Sequence, residues 1–312
     1  MTIVEPLLPS LRPVSCDLCG LDDARVVLAE SESNIVQCNA CGLVYFNPQP
    51  SADALARYYT SDSDEAYTRA LQGWYGQLNP QAISSLTHDL NVLEQKLFRH
   101  SHGGLREADP VRYLEVGCAF GYQLYCARLK GWETVGIELS RPMAEWAGNE
   151  LGLNVICGTI EDEANGLPDG RFDLILMSHV IEHVPQPTAS VRAAYRLLKP
   201  GGVLALYMPN AGGIQARHDF GTWEWKVFPD HLYYFSPVTL RLLLTKCGFD
   251  VEEVWSCLGE SNHEQVLNLI QTQLHLDSQE QALQMAEVLG PLCMLSDLRA
   301  VARKPEPDAQ ME

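Results

Sequence analysis

The sequence has few basic residues for its length. Its 312 residues include 22 lysines and arginines against 40 aspartates and glutamates, which gives a formal net charge of −18 at pH 7. The deficit is shared along the chain, since residues 1–100 carry 6 basic and 12 acidic side chains and the remainder carries 16 and 28. Neither part offers the basic surface that phosphate backbones require, so no nucleic-acid partner is expected.

The sequence also lacks a long apolar run. No segment reaches the roughly 18 consecutive apolar residues of a membrane-spanning helix, so no membrane association is expected. The first residues include Glu5 and three early prolines, and they show neither the basic start nor the apolar core of a signal peptide. The corresponding expectation is a cytoplasmic location, where a disulfide framework is not expected.

Cysteine is plentiful by contrast, and four of the ten cysteines follow a pattern. Cys16 and Cys19 form one C-x2-C pair, and Cys38 and Cys41 form a second pair after 18 intervening residues. This spacing is typical of a four-thiolate zinc ribbon. Four protein ligands leave the ion no open position, so the predicted zinc ion is structural. The other six cysteines lie in apolar segments and are predicted to pack as small hydrophobes.

The sequence predicts three structural parts and a tail. A zinc ribbon covers residues 1–50, and a helical connector or lid covers residues 51–105. An α/β domain covers residues 106–305, with a helical insertion at 261–289. The polar residues 306–312 form the tail.

The connector is rich in aromatic side chains, namely Tyr58, Tyr59, Tyr67, Trp74 and Tyr75. Such a segment beside a binding domain serves either as a lid over the site or as packing between the ribbon and the larger domain. The sequence leaves both interpretations open. In the lid interpretation, Tyr58 and Tyr59 are candidate substrate contacts.

The larger domain alternates short apolar runs with helical segments. The strands are predicted at 111–117, 134–138, 154–157, 172–178, 203–208, 251–257 and 297–303. This alternation predicts parallel βαβ units in a Rossmann-like, doubly wound sheet of seven strands. Ligands of such sheets bind at the carboxyl ends of the strands, which is where the site is expected.

The first of these strands ends in a loop of small residues. Gly117, Ala119 and Gly121 allow the backbone to approach a ligand closely, and Glu115 lies just before them. Glu138 ends the second strand, 17 residues after Gly121, where a carboxylate can accept both hydroxyls of a ribose. The loop has the form G-x-A-x-G and is not the dinucleotide fingerprint G-x-G-x-x-G.

This loop, Glu138 and the Leu-Leu-Lys-Pro-Gly-Gly segment at 197–202 resemble the class I methyltransferases that use S-adenosylmethionine. The resemblance covers about residues 110–257 and the final strand. It implies S-adenosylmethionine as the cofactor. The implied contacts are Glu115, Gly117, Ala119 and Gly121 for the methionine part, Glu138 for the ribose, Thr159 and Ile160 for the adenine, and Ser178 and His179 near the sulfonium.

A His-x-x-Glu-His segment follows the fourth predicted strand. The same pattern occurs in inverzincin metallopeptidases, where it lies on a helix. Here His179 directly follows a buried strand and two prolines follow His183, so the peptidase interpretation is disfavoured. Similar segments are frequent at this place in the methyltransferase family. His179 is therefore expected to face the reaction centre, and Glu182 and His183 are expected to order the loop through hydrogen bonds.

A long connection at 209–235 follows the fifth strand and is dense in aromatic residues. Its composition argues against disorder, and it starts where a methyl acceptor is expected to bind. Two interpretations stay open. The segment either binds the acceptor through Trp223, Trp225 and Phe228, or forms an aromatic cluster that packs the sheet edge.

A ribbon followed by a class I domain is similar to sugar C-methyltransferases, which carry Tyr-x-Glu-His in this connection. Here the segment has Phe228, Asp230 and His231 at those positions. Because phenylalanine cannot take a proton, the mechanism of the sugar enzymes does not carry over. The resemblance that is kept is to the broader group of zinc-ribbon methyltransferases that tailor small molecules. His231 is the first candidate base and His179 the second, and a role of His231 in ordering the loop stays open.

The expected reaction is in-line displacement at the sulfonium methyl of the cofactor, with alignment of the two reactants as the main contribution of the protein. Two rival functions are an RNA methyltransferase that uses the ribbon for recognition and a non-catalytic module that binds the cofactor. The net charge of −18 argues against the first. The intact glycine loop and Glu138 argue against the second.

Overall fold

Two small antiparallel sheets form the amino-terminal part of the protein. The computed structural model describes residues 11–60, 79–99, 109–259 and 263–307. The strands of this part are β1 (Leu11–Arg12), β2 (Ala24–Leu28), β3 (Asn34–Cys38), β4 (Val44–Asn47) and β5 (Gln49–Pro50). Strand β1 pairs with β5, while β2, β3 and β4 follow one another in a second sheet.

Two described helices connect this part to the larger domain, α1 (Ala52–Thr60) and α2 (Pro80–Phe98). The side chain of Asn79 caps α2 by accepting the Ala82 N–H, and Pro80 occupies its first turn. The buried face of α2, formed by Leu90, Leu93 and Leu97, packs against the larger sheet. This helix is therefore part of the core. Tyr67, Trp74 and Tyr75 lie outside the described residues.

The larger domain alternates strands and helices, as predicted. Its elements are β6 (Arg112–Val116), α3 (Tyr122–Leu129), β7 (Glu133–Glu138), α4 (Arg141–Leu151), β8 (Val155–Cys157), α5 (Ile160–Glu163), β9 (Phe172–Ser178), α6 (Pro187–Leu197), β10 (Leu198–Pro209), α7 (Ile214–His218), β11 (Tyr233–Tyr234), α8 (Pro237–Lys246), β12 (Asp250–Cys257), α9 (His263–Gln273), α10 (Gln279–Leu289) and β13 (Asp297–Arg303). Within the described ranges, seven strands form one sheet in the order β12-β13-β10-β9-β6-β7-β8. Only the pairings of β13 are antiparallel. The predicted Rossmann-like sheet of seven strands is confirmed.

The sheet is buried on both faces because its central strands carry apolar side chains on both faces. In β9, Ile175 and Met177 pack into one cluster, while Leu174 and Leu176 pack into the other. Helices α6 and α8 cover the first face, and α2 and α3 cover the second. Ribbon side chains, including Tyr45, belong to the same cluster as the first face. The ribbon core is thus continuous with the core of the larger domain.

Two segments differ from the sequence expectation. Strand β10 begins before the predicted 203–208, because Leu198 already pairs with Phe172 before a register shift at Val203. The connection at 209–235 contains α7 and β11, and β11 joins the ribbon sheet by pairing antiparallel with β4. Helices α9 and α10 occupy most of the predicted insertion at 261–289. In the parts of the chain described here, each helix is too short or too polar to cross a membrane.

A buried carboxylate ties three strands of the sheet together at the ends opposite the expected site. The Asp173 side chain is 0% exposed. One of its oxygens accepts the Arg112 N–H at 2.8 Å, and the other accepts Lys199 Nζ at 2.5 Å. This places the start of β9 in contact with β6 and β10.

We expect Asp173→Ala to lower the free energy of unfolding by about 3 kcal/mol, because it leaves a buried N–H and an ammonium group without their acceptor. Urea denaturation followed by circular dichroism measures the change. Asp169→Ala, which breaks the exposed pair of Asp169 with Arg196, is the control and should cost less than about 1 kcal/mol. Equal effects of the two substitutions would contradict the assigned role of Asp173.

Candidate functional site

The glycine loop after β6 has a backbone that ordinary residues rarely adopt. Gly117 and Gly121 have φ angles of +68° and +73°, and Ala119 between them has φ +47°. A Cβ at Gly117 would lie 2.5 Å from Val180 Cγ2, and one at Gly121 would lie 2.5 Å from Leu153 Cδ1. The two glycines are therefore required for the turn and for close packing against neighbouring side chains.

Glu138 holds this loop in place from the end of β7. One of its carboxylate oxygens accepts the Ala119 N–H at 2.8 Å, and the other accepts the Ser140 N–H at 2.7 Å. Burial raises the pKa of Glu138, and these backbone hydrogen bonds oppose the rise. A carboxylate offers about four acceptor positions, and these backbone bonds do not occupy all of them. The carboxylate can therefore accept hydroxyl groups of a ligand without releasing the loop.

A second carboxylate lies below the same loop. Glu115 is 6% exposed, and its Oε2 has no hydrogen-bond partner among the described residues. Burial raises the pKa of Glu115 to about 8, and the charge of Glu138 adds to the rise. Two buried carboxyl groups beside one loop favour a ligand that carries positive charge and can donate hydrogen bonds.

The residues predicted beside the adenine lie at the start of α5. Thr159 caps this helix, since its hydroxyl accepts the Asp162 N–H at 3.3 Å. The Ile160 side chain is 2% exposed and packs in the core. Thr159 thus lies near the carboxyl end of β8, while Ile160 supports the helix from below.

The end of β9 presents an imidazole between two carboxylates. His179 directly follows Ser178 in a left-handed conformation, with φ +52°. Its Nδ1 lies 3.3 Å from Glu182 Oε1, and its Nε2 lies 3.6 Å from Asp297 Oδ1. Burial lowers the pKa of His179, but the contact with Glu182 outweighs it, so the net shift is upward. The His179 side chain is 38% exposed, so it is open to a ligand.

Glu182 lies at the centre of this cluster. Its side chain is 2% exposed, and no backbone N–H or hydroxyl group of a described residue donates to its carboxylate. The imidazoles of His179 and His183 lie nearby, at 3.3 and 3.8 Å from Oε1. Burial raises the pKa of Glu182, but these imidazoles outweigh it and bring the pKa to about 2. Residues 181–183 form a turn and not the helix that a peptidase motif requires.

His231 approaches the cluster from the connection after β10. Its side chain is buried, and its Nδ1 lies 2.7 Å from the Trp225 carbonyl oxygen. Its ring stacks on Trp225 with a centroid distance of 5.8 Å and meets the edge of His183 at 4.6 Å. Burial lowers the pKa of His231. His179 stacks on the same indole at 5.8 Å, so Trp225 lies beside both imidazoles.

Within the described part of the connector, Tyr59 reaches the cluster. The Tyr59 hydroxyl lies 3.1 Å from His183 Nδ1 and 3.5 Å from a carboxylate oxygen of Asp230. Tyr58 is 47% exposed and packs edge-on against Tyr59. Helix α1 therefore contributes to the site, whereas α2 packs in the core.

Two of the predicted substrate residues pack elsewhere. Trp223 is 4% exposed and packs with Tyr234 at a centroid distance of 5.8 Å. Phe228 meets the ring of Phe46 in the ribbon at 4.9 Å. These two aromatic side chains attach the connection to the ribbon, which matches the packing interpretation of the segment. Trp225 and His231 match the site interpretation.

The four patterned cysteines converge in the ribbon. Their Sγ atoms all lie within 4.8 Å of one another. Cys16 and Cys38 are buried, and the Sγ distances of Cys16 to Cys41 and of Cys19 to Cys38 are both 3.4 Å. This arrangement is compatible with a tetrahedral zinc site made of four thiolates.

The turn between Cys16 and Cys19 contacts the larger domain. The Asp17 carboxylate accepts the Thr188 N–H at 2.8 Å in the first turn of α6, and the Thr188 hydroxyl at 2.5 Å. Lys246 Nζ donates to the Leu18 carbonyl at 2.6 Å from the end of α8. These contacts fix the ribbon on the face of the sheet that carries α6 and α8.

Sequence reasoning did not identify Asp17 or Asp297 as important, and it assigned Glu182 only a role in ordering the loop. Asp297 could have been found from topology: because β13 runs antiparallel to its neighbours, its first residue lies at their carboxyl ends. Asp17 carries no such signal, since its partner Thr188 is distant in sequence.

The chain matches the family model described as "Methyltransferase domain" over residues 88–254. A SAM-dependent methyltransferase of Archaeoglobus fulgidus shares the fold, with a TM-score of 0.50, 19% identity and coverage of 78% of this chain and 100% of that one. The ubiquinone biosynthesis O-methyltransferase of Alkalilimnicola ehrlichii is 30% identical over 158 residues, which are 49% of this chain and 61% of the relative. The protein of the same name from Neisseria meningitidis serogroup C is 29% identical over 185 residues, covering 53% and 73%.

Proposed function

The chain belongs to this methyltransferase domain family and has the fold of class I S-adenosylmethionine-dependent methyltransferases, and from that premise we propose that it transfers a methyl group from S-adenosylmethionine to an oxygen atom of a small molecule. One observation carries the proposal. The loop held by Glu138 and the imidazole cluster around Glu182 lie at the carboxyl ends of neighbouring strands, at one edge of the sheet. An acceptor bound at the imidazole cluster can thus meet a cofactor bound at the glycine loop.

The proposed cofactor residues are those expected from the sequence: Glu115, Gly117, Ala119, Gly121, Glu138, Thr159, Ile160, Ser178 and His179. The chemistry of the donor set supports the fit. The free lone pairs of Glu138 suit the ribose hydroxyls, and the unpaired Oε2 of Glu115 suits a cationic group such as the cofactor's ammonium. When bound, the cofactor supplies an electrophilic methyl group on its sulfonium.

The proposed acceptor chamber is formed by Tyr59, Trp225, His179 and His231. Among the two candidate bases, we propose His179 as the group that receives the acceptor's proton. Its side chain is 38% exposed at the end of β9, whereas His231 is 6% exposed and uses Nδ1 to contact a backbone carbonyl. The names of the two relatives as O-methyltransferases support oxygen as the acceptor atom.

The four cysteines are proposed to hold one structural zinc ion. The convergence of their Sγ atoms supports this assignment, and the ribbon that they close also carries β4, the partner of β11. The ion would therefore stabilise the wall of the site without taking part in chemistry.

The proposed activity predicts that tritium from methyl-labelled S-adenosylmethionine will appear in the low-molecular-mass fraction of a bacterial extract, measured by scintillation counting after chromatography. His179→Asn should lower the rate about 100-fold or more, the scale of a lost general base. Exposed His218→Asn is the control and should leave the rate unchanged.

Label that enters only RNA would support the rival RNA methyltransferase, and cofactor binding without transfer to any fraction would support the non-catalytic module. If His179→Asn transfers methyl groups at an unchanged rate, His179 is not the general base, although the proposed methyltransferase activity stands.

Glu138→Gln is expected to weaken the binding of S-adenosylhomocysteine about 10- to 100-fold in isothermal titration calorimetry, because hydrogen bonds to a charged acceptor are each worth about 1.5–3 kcal/mol. Glu133→Gln, at the exposed start of the same strand, is the matched control. If both variants bind as tightly as the unaltered chain, the ribose site is elsewhere.

Elemental analysis tests the ribbon. Cys38→Ser is expected to lose about one equivalent of tightly bound zinc per chain and to have a lower Tm, since structural zinc stabilises the fold that holds it. Cys157→Ser, outside the cluster, should keep both properties. Equal zinc contents in the two variants would rule out the four-cysteine site.

A further inference from the structure

We propose that Glu182, His183 and His231 bind a divalent first-row transition-metal ion at a second site, distinct from the four cysteines. Each residue offers one ligand atom, and these three atoms lie within 4.8 Å of one another. Two imidazoles and one carboxylate form a ligand set that suits ions such as zinc, cobalt or ferrous iron.

The first support is the buried carboxylate of Glu182, whose ion-pair partners among the described residues are imidazoles. Its carboxylate is 2% exposed, and neither oxygen accepts a hydrogen bond from the described residues. Buried charged groups in proteins are almost always paired or bound to a metal. The backbone N–H groups of Leu232 and Tyr233, which follow His231, donate to the Glu182 carbonyl and not to its carboxylate. The carboxylate is thus left to face the imidazoles.

The second support is the orientation of the two histidines. His231 directs Nδ1 to the Trp225 carbonyl at 2.7 Å, which assigns the proton to Nδ1 and leaves the lone pair on Nε2. His183 directs Nδ1 to the Tyr59 hydroxyl at 3.1 Å, while its Nε2 lies 3.8 Å from Glu182 Oε1. A hydrogen bond on the second ring nitrogen is the usual arrangement that orients a metal-binding histidine.

The distances also suit an ion. Ligands bound at about 2.1 Å and at tetrahedral angles lie about 3.4 Å apart. The observed 3.8 Å between His183 Nε2 and Glu182 Oε1 is therefore close to the separation that an ion needs. Three protein ligands leave at least one open position, as in catalytic zinc sites.

The open position gives the site a role that rests on the proposed function. Since His179 lies 3.3 Å from Glu182, an acceptor beside His179 would also be next to the ion. An ion there would bind the acceptor oxygen and polarise it as a Lewis acid. The acceptor class favoured by this geometry is a small molecule with a hydroxyl group able to coordinate a metal.

Cobalt(II) is the probe, added to the full chain that carries one equivalent of zinc. Thiolate ligands select zinc, so this ion stays on the four cysteines and the second site is free to take up cobalt. Calorimetry should show about one equivalent of cobalt bound, with d–d absorption bands and no sulfur-to-cobalt charge-transfer band. Glu182→Gln and His231→Asn should each weaken cobalt binding at least 100-fold. Tyr59→Phe removes the hydroxyl that orients His183 and should weaken cobalt binding about 10-fold.

His263→Asn, at the exposed start of α9, is the matched control and should bind cobalt like the unaltered chain. The proposal is overturned if the unaltered chain takes up no cobalt, or if the control loses as much affinity as the ligand variants. Tyr59→Phe keeps the test informative if a ligand variant fails to fold.

The affinity for S-adenosylhomocysteine is measured on the same preparations. Cobalt binding without cofactor binding or methyl transfer would remove the proposed function and keep the metal site. Methyl transfer by a chain that binds no cobalt would support the proposed function and overturn the metal site.

Discussion

The architecture of the site depends on how the backbone around β11 is held from two sides. On one side, Tyr233 and Tyr234 pair with Tyr45 and Val44 of the ribbon. On the other side, the N–H groups of Leu232 and Tyr233 donate to the Glu182 carbonyl after β9, at 2.8 and 3.1 Å. His231 directly precedes these residues, so its position is fixed jointly by the ribbon and by the central sheet.

Electrostatics give the same edge its chemical character. The chain carries a net charge of −18, and two sets of carboxyl groups lie at the carboxyl ends of its strands. Glu115 and Glu138 lie beneath the glycine loop, while Glu182 and Asp297 face His179. Such an environment favours cationic ligands: the sulfonium and ammonium groups of the proposed cofactor in the first set, and a metal ion in the second.

The sheet could be predicted from the sequence because three signals agree along the whole of the larger domain: the apolar runs of the strands, their spacing, and the glycines and prolines that end the elements between them. The runs at 172–178 and 111–117 are apolar, bounded by loops and repeated at βαβ intervals, which leaves little choice of architecture. The positions of the glycine loop and of Glu138 were predictable for the same reason, since both lie at the ends of predicted strands. The cluster around Glu182 was not, because it joins turns that are distant in sequence. Trp223 and Trp225 illustrate this limit, since two tryptophans separated by one residue serve the core and the site respectively.

The participation of β11 in the ribbon sheet has a consequence for synthesis of the chain. Strand β4 is made early, but its partner lies nearly two hundred residues later in the sequence. Until β11 leaves the ribosome, β4 has an open edge able to pair with foreign strands. The four cysteines of the ribbon are all translated long before β11, so binding of the proposed zinc ion can precede completion of the sheet. The ribbon is thus translated before the larger domain, but its sheet is completed only after β11 has been made.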